Sequence, residues 1–258
     1  LDYIAIKFIY NFVEVTFSHS MRRILILLML MAVPAGSHPT RDVDSNDQAQ
    51  TFDPCRTLYD KLPLRSNVSY DAFLQAYTGY NEISNRRKDV LVLIDFTKPS
   101  TEKRMYIIDM AKEIEIFRSL VSHGKNSGDK YATSFSNTVG SLQSSLGFYL
   151  TGNTYQGKNG YSLLLNGLER GINDRARERA VVVHGAAYAN PSVISSSGRL
   201  GRSFGCPAVP EADSRMIIDM IKDGAVMFIY ADSNDYVRKS SFMASLGRNQ
   251  RISDHIAG

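Results

Sequence analysis

From residue 90 onward, short and continuous apolar runs recur along the chain, and Gly, Ser and Pro separate them. Runs of this length are too short for core helices and are typical of buried strands. The runs that we predict to be strands are 90–95, 104–109, 115–122, 148–152, 161–165, 180–184 and 225–230. This spacing predicts a mostly β (α+β) fold, built as a β-sandwich or a partly open barrel.

Helical patterns flank the predicted strands. Between residues 54 and 85, apolar residues recur at helical intervals and Pro63 interrupts them, which predicts two helices that cap the strands at the N-terminal side. A further amphipathic pattern covers residues 211–223 and stops at Gly224. We therefore expect one more helix there, ahead of the last strand.

The N-terminal region has the pattern of an export signal. Met21 is followed by Arg22-Arg23, an apolar stretch and a small-residue site before Gly36. The stretch is too short to span a bilayer comfortably, so it predicts a cleaved signal peptide, with an uncleaved anchor as the alternative. The predicted organisation is 1–20 upstream translation, 21–35 signal peptide, 36–53 linker, 54–239 main domain with its helical cap at 54–85, and 240–258 polar tail.

Composition argues against several classes of protein. The chain carries a formal charge of +4, and no basic run is interleaved with aromatic residues, so nucleic acid is not an expected partner. No spacing of Cys, His and Asp indicates a metal site, and we expect no metal and no cofactor. We expect an exported monomer with one core and no membrane span after cleavage.

Cys206 and His184 are the residues with the most specific chemistry. Cys206 lies among small residues in the run Gly201–Pro207, and His184 ends a predicted buried strand. A nearby imidazole can take the proton of a thiol or stabilise the thiolate, so the pair indicates a cysteine nucleophile and its base. A lone Cys is otherwise most often a small buried hydrophobe. The composition around Cys206 is not that of a core, which favours the chemical interpretation.

The residues next to Cys206 suggest how the thiol is presented. Pro207 favours extended backbone at Cys206, which would place the sulfur at an exposed loop tip ahead of a helix and lower its pKa. Gly205 lets a carbonyl approach closely, and the N–H groups of Gly205 and Cys206 would be free to bind an oxyanion. Ser203 is predicted either to donate a hydrogen bond within the loop or to be only a turn residue.

Several further residues are candidates for substrate contacts. Arg199 and Arg202 could bind carboxylates by bidentate pairing, or they could be solvated loop charges. Tyr188 and Phe204 are assigned to the substrate groove, with core packing as the alternative for Tyr188. His123 precedes a Gly, as His184 does, but a turn follows it, and we expect it to line the groove at best.

Cys55 and Cys206 are the two cysteines of the chain. An even count in an exported protein raises the alternative of a disulfide, which would occupy the Cys206 thiol. We favour free thiols, because Cys55 opens a helical stretch while Cys206 lies in a sequence that suits exposure.

A family resemblance rests on His184-Gly185, a Gly-rich stretch, and then Gly201-Arg202-Ser203-Phe204-Gly205-Cys206-Pro207-Ala208. From about residue 54 to about residue 239, the chain resembles the YkuD-type L,D-transpeptidase catalytic domain, in its murein L,D-transpeptidase-like branch. The resemblance implies a Cys206 nucleophile and a His184 base, with a carbonyl near Gly185 fixing the tautomer. It also implies acyl transfer on peptidoglycan stem tetrapeptides through a thioester, in the periplasm or cell envelope.

Two positions depart from the pattern of that family. Phe204 stands where better-known members have His, and Ala208 stands where they have Arg. Arg202 or Arg199 could replace the missing Arg in binding a substrate carboxylate. The alternatives that remain are an L,D-carboxypeptidase with water as the acceptor, a catalytically silent peptidoglycan-binding module, and a disulfide-stapled scaffold.

Overall fold

The computed structural model describes residues 53–244 and Leu246. The predicted segments that lie wholly or mostly outside the described residues are the upstream segment 1–20, the signal peptide 21–35, the linker 36–53 and the tail 240–258. Within the described ranges, no helix is long and apolar enough to cross a bilayer.

The described residues form five α-helices and eight strands, joined by short turns and one long loop. The helices are α1 (Pro54–Lys61), α2 (Tyr70–Glu82), α3 (Pro191–Ser197), α4 (Glu211–Ile221) and α5 (Asn234–Lys239). The strands are β1 (Val90–Asp95), β2 (Met105–Asp109), β3 (Ile114–Ser119), β4 (Gly147–Gly157), β5 (Gly160–Gly167), β6 (Val182–Gly185), β7 (Ala208–Val209) and β8 (Val226–Tyr230). Short 3-10 helices cover Pro63–Ser66 and Ala187–Ala189.

All eight described strands belong to one mixed sheet, in the order β3-β2-β1-β8-β4-β5-β6-β7. The β1–β8 and β6–β7 pairs are parallel and the other pairs are antiparallel. The two ends of the sheet meet, because Ser122, just beyond β3, bridges Ala208 of β7 and donates its N–H to the Ala208 carbonyl at 2.8 Å. The sheet is therefore nearly closed into a barrel, which confirms the predicted mostly β, partly open barrel.

The two N-terminal helices pack against this sheet. Asp53 caps α1 and Ser69 caps α2, each by accepting hydrogen bonds from backbone N–H groups of the first turn. Gly79 of α2 lies directly on Phe148 of β4, since a Cβ at Gly79 would be 2.1 Å from the ring Cζ. Phe148 stacks in turn on Phe228 of β8, with ring centroids 4.2 Å apart. The predicted pair of helices is confirmed, and it shares the core of the sheet.

The segment after Asp232 contains a helix that the sequence pattern did not predict. Residues 234–239 form α5, and Tyr236 is only 4% exposed. The buried Glu169 carboxylate accounts for this, because it accepts hydrogen bonds from the hydroxyls of Tyr236 and Ser240. Glu169 also accepts from the Phe148 N–H at 2.6 Å. These partners are distant in sequence, so a local polar pattern could not reveal them.

Candidate active site

The structure brings Cys206 and His184 together at the parallel strands β6 and β7. His184 lies opposite Ala208, two residues after Cys206. The Cys206 sulfur lies at the start of β6, where the thiol donates to the Ala180 carbonyl at 3.6 Å and the Val182 N–H points at the sulfur. Val182 and His184 are two residues apart, roughly 7 Å along a strand, so the thiol lies about one strand repeat from the backbone of His184.

The His184 imidazole is held as a neutral base. Its Nδ1 lies 2.9 Å from the Gly185 carbonyl oxygen. A carbonyl can only accept, so Nδ1 carries the proton and Nε2 keeps its lone pair. Burial lowers the pKa of His184, and the bond to Gly185 opposes that effect only in part. The imidazole is thus neutral at neutral pH, with Nε2 available to take a proton.

The Cys206 thiol is more protected than the sequence predicted. The side chain is half-buried, and burial raises the pKa of the thiol above its ordinary value, although the Val182 N–H and the Arg179 charge oppose this. The predicted exposed loop tip with a lowered pKa is therefore wrong for this conformation. The reason is that Pro207 leads directly into β7, which pins Cys206 against β6. Helix α4 begins at Glu211, so β7 lies between the thiol and the start of the helix.

The catalytic loop, which we define as residues 201–207, is folded by Ser203. The Ser203 hydroxyl donates to the Cys206 carbonyl at 2.6 Å and accepts from the Gly205 N–H at 3.1 Å. The prediction that the Gly205 N–H is free for an oxyanion is therefore wrong, because Ser203 occupies it. The Cys206 N–H lies beside its own sulfur and is the remaining backbone donor of the predicted pair. Ser203 therefore donates a hydrogen bond within the loop, which is the first of the two roles that the sequence allowed for it.

The predicted substrate contacts fall into two groups. Arg199 and Arg202 both reach the Asp129 carboxylate, at 2.7 Å and 3.5 Å, so an internal partner already engages their guanidinium groups. Tyr188 lies edge-on to the His184 ring, with centroids 6.4 Å apart, and burial followed by the nearby Cys206 raises the pKa of its phenol. Phe204 is 71% exposed. Tyr188 therefore lies near the thiol and the imidazole, while Phe204, two residues before Cys206 in the chain, offers exposed apolar surface.

Arg179 is a neighbour of the thiol that sequence analysis missed. It lies just before β6, and its charge interacts with Cys206. Its guanidinium donates to the loop that connects β3 to β4, including the Ser136 carbonyl at 2.7 Å. In the sequence, Arg179 is one of several arginines in the stretch 175–179, and nothing local distinguishes it. In the structure the Arg179 side chain is half-buried, whereas that of Arg177 is exposed.

Two other sequence candidates lie away from the reacting atoms. Both cysteines are free, and Cys55 is buried in α1, where burial raises the pKa of its thiol to about 12. His123 is 1% exposed, so the expectation that it lines the groove is wrong. Its Nδ1 accepts from Arg104 at 2.8 Å, and burial followed by that cation lowers the pKa of His123 to about 4. His123 contributes structurally, because its carbonyl accepts from the Ser203 N–H at 2.9 Å.

Among residues 53–244 and Leu246, no group of three His, Cys, Asp or Glu side chains could hold a metal ion.

A search of protein families matches the L,D-transpeptidase catalytic domain over residues 64–230. No curated protein matches the chain.

Solved structures with a similar fold include an L,D-transpeptidase from Mycobacterium smegmatis, at 13% identity and a TM-score of 0.35, covering 55% of this chain and 59% of the other. The helical cell shape determining protein Pgp2 (K307A mutant) from Campylobacter jejuni is 14% identical, with a TM-score of 0.40, covering 62% of this chain and 57% of the other. The L,D-transpeptidase from Stackebrandtia nassauensis is 14% identical, with a TM-score of 0.33, covering 64% of this chain and 67% of the other. This chain spans about three fifths of the length of the first structures that it matches.

Proposed function

Because the chain belongs to the L,D-transpeptidase catalytic domain family, we propose that it is an enzyme that cross-links or remodels peptidoglycan, with Cys206 as its nucleophile. The observation that carries the proposal is the arrangement on β6. The Cys206 sulfur lies at the start of this strand, and at its end His184 has its proton fixed on Nδ1 by the Gly185 carbonyl. This is the tautomer that a base needs if it is to take a thiol proton through Nε2.

The first half-reaction forms an acyl-thioester on Cys206. As His184 Nε2 takes the thiol proton, the sulfur attacks the amide carbonyl that follows an L-centre in a stem tetrapeptide. The carbon–sulfur bond forms, the carbon–nitrogen bond to the terminal D-residue breaks, and His184 returns its proton to the leaving amine. We assign the Cys206 N–H, which lies beside the sulfur, as the backbone donor for the developing oxyanion.

The second half-reaction decides between two outcomes. If an amine of a neighbouring stem attacks the thioester, its nitrogen bonds to the carbonyl carbon, the carbon–sulfur bond breaks, and a cross-link forms. The proton that the amine loses passes through His184 to the sulfur and regenerates the thiol. If water attacks instead, the product is a shortened stem and the enzyme is an L,D-carboxypeptidase. The exposed Phe204 and the adjacent Tyr188 offer apolar surface for the stem peptide in either case.

Peptidoglycan as substrate places the enzyme outside the cytoplasm, in the periplasm or cell envelope. The export signal predicted at residues 21–35 agrees with that location. A silent peptidoglycan-binding module remains the competing proposal, and it requires that Cys206 be unreactive in the presence of substrate.

The test is incubation of the purified protein with a disaccharide-tetrapeptide, followed by mass spectrometry of the products. We expect a cross-linked dimer or a shortened stem from the wild type and no turnover from Cys206→Ala. Cys55→Ala is the matched control, since it removes the other thiol, buried in α1, and should leave turnover unchanged. Binding without turnover by the wild type would favour the silent module instead.

The same assay tests the assigned base. His184→Ala should lower turnover by roughly 10²–10⁴-fold, the usual contribution of general acid–base catalysis. Cys206→Ala should change the free energy of unfolding by less than about 1 kcal/mol, because the thiol is only half-buried. A thermal melt of each variant separates lost chemistry from lost folding. Full activity in Cys206→Ala would show that the nucleophile is assigned to the wrong residue.

A further inference from the structure

The Arg179 guanidinium lies directly behind the residue that precedes the thiol. A Cβ at Gly205 would come within 3.2 Å of Arg179 Nη2 and 2.7 Å of the Gln143 carbonyl oxygen. Arg179 Nη2 also donates to that same Gln143 oxygen. Cys206 follows Gly205 in the chain. The packing of Arg179 against Gly205 therefore places a cation next to the residue that precedes the thiol.

The guanidinium is tied to neutral groups. Its two Nη atoms donate to the carbonyls of Ser136 and Gln143 and to the hydroxyls of Ser141 and Ser145. The side chains with which its charge interacts are Tyr149 and Cys206, neither of which is a carboxylate. A half-buried cation without an acidic partner is costly in free energy, so the surroundings favour an anion that forms close by.

The other titratable groups at the thiol do not supply positive charge. The His184 imidazole is neutral at neutral pH because burial lowers its pKa. The Tyr188 phenol is also neutral, since burial and the nearby Cys206 raise its pKa. Arg179 is therefore the cation beside Cys206 among the described residues, and it lowers the pKa of a thiol that burial raises.

We propose that Arg179 is a positioning residue whose charge stabilises the Cys206 thiolate, while its hydrogen bonds hold the 136–145 segment against the catalytic loop. This inference deepens the proposed function and rests on it, because the thiolate is the attacking species there. When the proton leaves Cys206, the negative charge appears beside a guanidinium that is already fixed in place. The backbone therefore needs no rearrangement at that moment.

The test measures the pH dependence of iodoacetamide alkylation at Cys206, read by mass spectrometry on the peptide that contains it. Arg179→Met removes the charge at similar length, Arg179→Gln removes it but keeps a polar head, and Arg179→Lys keeps it. Loss of a nearby opposite charge raises a thiol pKa, so the Met and Gln variants should react roughly tenfold more slowly near neutral pH. Arg177→Met, at an exposed arginine two residues earlier, is the matched control and should behave like the wild type.

Each outcome decides the inference. An inflection that moves to higher pH in Arg179→Met or Arg179→Gln, but stays near the wild-type value in Arg179→Lys and Arg177→Met, supports the charge role. The inference is overturned if the alkylation inflection of Arg179→Gln lies at the wild-type pH. It is also overturned if Arg179→Lys shifts that inflection as far as Arg179→Gln does. If Arg179→Met does not fold, Arg179→Gln carries the same test.

The alkylation assay uses no peptidoglycan, so the two proposals fail separately. Turnover that persists in Cys206→Ala rejects the proposed function, yet the shift in the Arg179 variants would still support the electrostatic role. An unchanged inflection in those variants rejects the Arg179 inference even where Cys206→Ala is inactive.

Discussion

Gly205 illustrates how one residue without a side chain shapes the loop that carries the thiol. Its φ of +121° lies in the region that favours glycine, and the added Cβ of any other residue would collide with the Gln143 carbonyl oxygen at 2.7 Å. The sequence indicated that Gly205 permits a close approach. The approaching group turned out to be the protein's own loop, held by Arg179, rather than a substrate carbonyl.

Gly205→Ala should therefore lower turnover more than it lowers the stability of the barrel. We expect turnover to fall by at least roughly tenfold, because backbone strain on the order of 1–3 kcal/mol would shift the adjacent Cys206. Gly198→Ala is a demanding control, since Gly198 also has positive φ, at +69°, but a Cβ there meets no atom within 4 Å. Turnover and thermal melts of the two variants measure this, and equal turnover in both would contradict the argument.

The ionisation of the two central residues sets the expected pH dependence. Burial raises the pKa of Cys206, so the thiolate population grows as pH rises above neutral. Burial lowers the pKa of His184, so the imidazole becomes charged only at pH values below its ordinary range. Because His184 must return a proton to the leaving amine, the competent pair is the thiol with the neutral imidazole, and we expect kcat/KM to stay level from pH 6.5 to pH 8. A maximum at pH 6 would contradict both assignments.

The sequence singles out residues whose type is unusual in its context. Cys206 among small residues and His184 after a valine run were both identified from the sequence. Arg179 was not, because an arginine in a charged stretch has many equivalent interpretations until packing selects one. The free Gly205 N–H was predicted wrongly because the bond from Ser203 depends on how the loop folds back on itself.

At the scale of elements, the continuous apolar runs predicted the strands reliably, whereas the short helices in polar segments were not predicted. The runs at 90–95 and 225–230 became β1 and β8, which pair in parallel at the centre of the sheet. Such strands depend on their own apolar side chains for burial. Helices α3 and α5 are short, and α5 depends on a buried carboxylate from another segment, which local patterns do not contain.

Glu169 is the residue on which α5 depends. Its carboxylate accepts from the Phe148 N–H, the Tyr236 hydroxyl and the Ser240 hydroxyl. Glu169→Ala would leave those buried donors without a partner, and we expect a loss of about 3 kcal/mol in the free energy of unfolding. Urea denaturation measures this loss, and hydrogen exchange should show early opening of 234–240.

Asp235 provides the control for that experiment. It lies on the same helix, but its carboxylate is solvent-exposed and pairs with Lys239. Asp235→Ala should leave the free energy of unfolding close to that of the wild type, as is usual for a surface ion pair. Equal losses for Glu169→Ala and Asp235→Ala would show that the buried carboxylate does not anchor α5.

At the scale of the whole molecule, closure of the barrel is what places the catalytic loop. The sequence predicted the strands and a partly open barrel, but it could not predict that Ser122 meets Ala208 across the seam. The same short strand, β7, also pairs with His184 on its other side. The seam therefore fixes the strand that follows Cys206 and, through it, the position of the thiol relative to the base.

The Ser122 N–H is the bond that we expect to hold this seam. Ser122→Pro removes the donor to the Ala208 carbonyl, and a proline within paired strands removes a ladder hydrogen bond that nothing replaces. Ser122→Ala keeps the N–H and removes a buried hydroxyl that has no described partner, so it should be neutral or slightly stabilising. We expect faster hydrogen exchange at residues 206–209 and lost turnover in Ser122→Pro alone. Because β7 is only two residues long, opening the seam should release Cys206 before the rest of the sheet unfolds. A Ser122→Pro variant that lost stability globally, without early exchange at residues 206–209, would contradict this account.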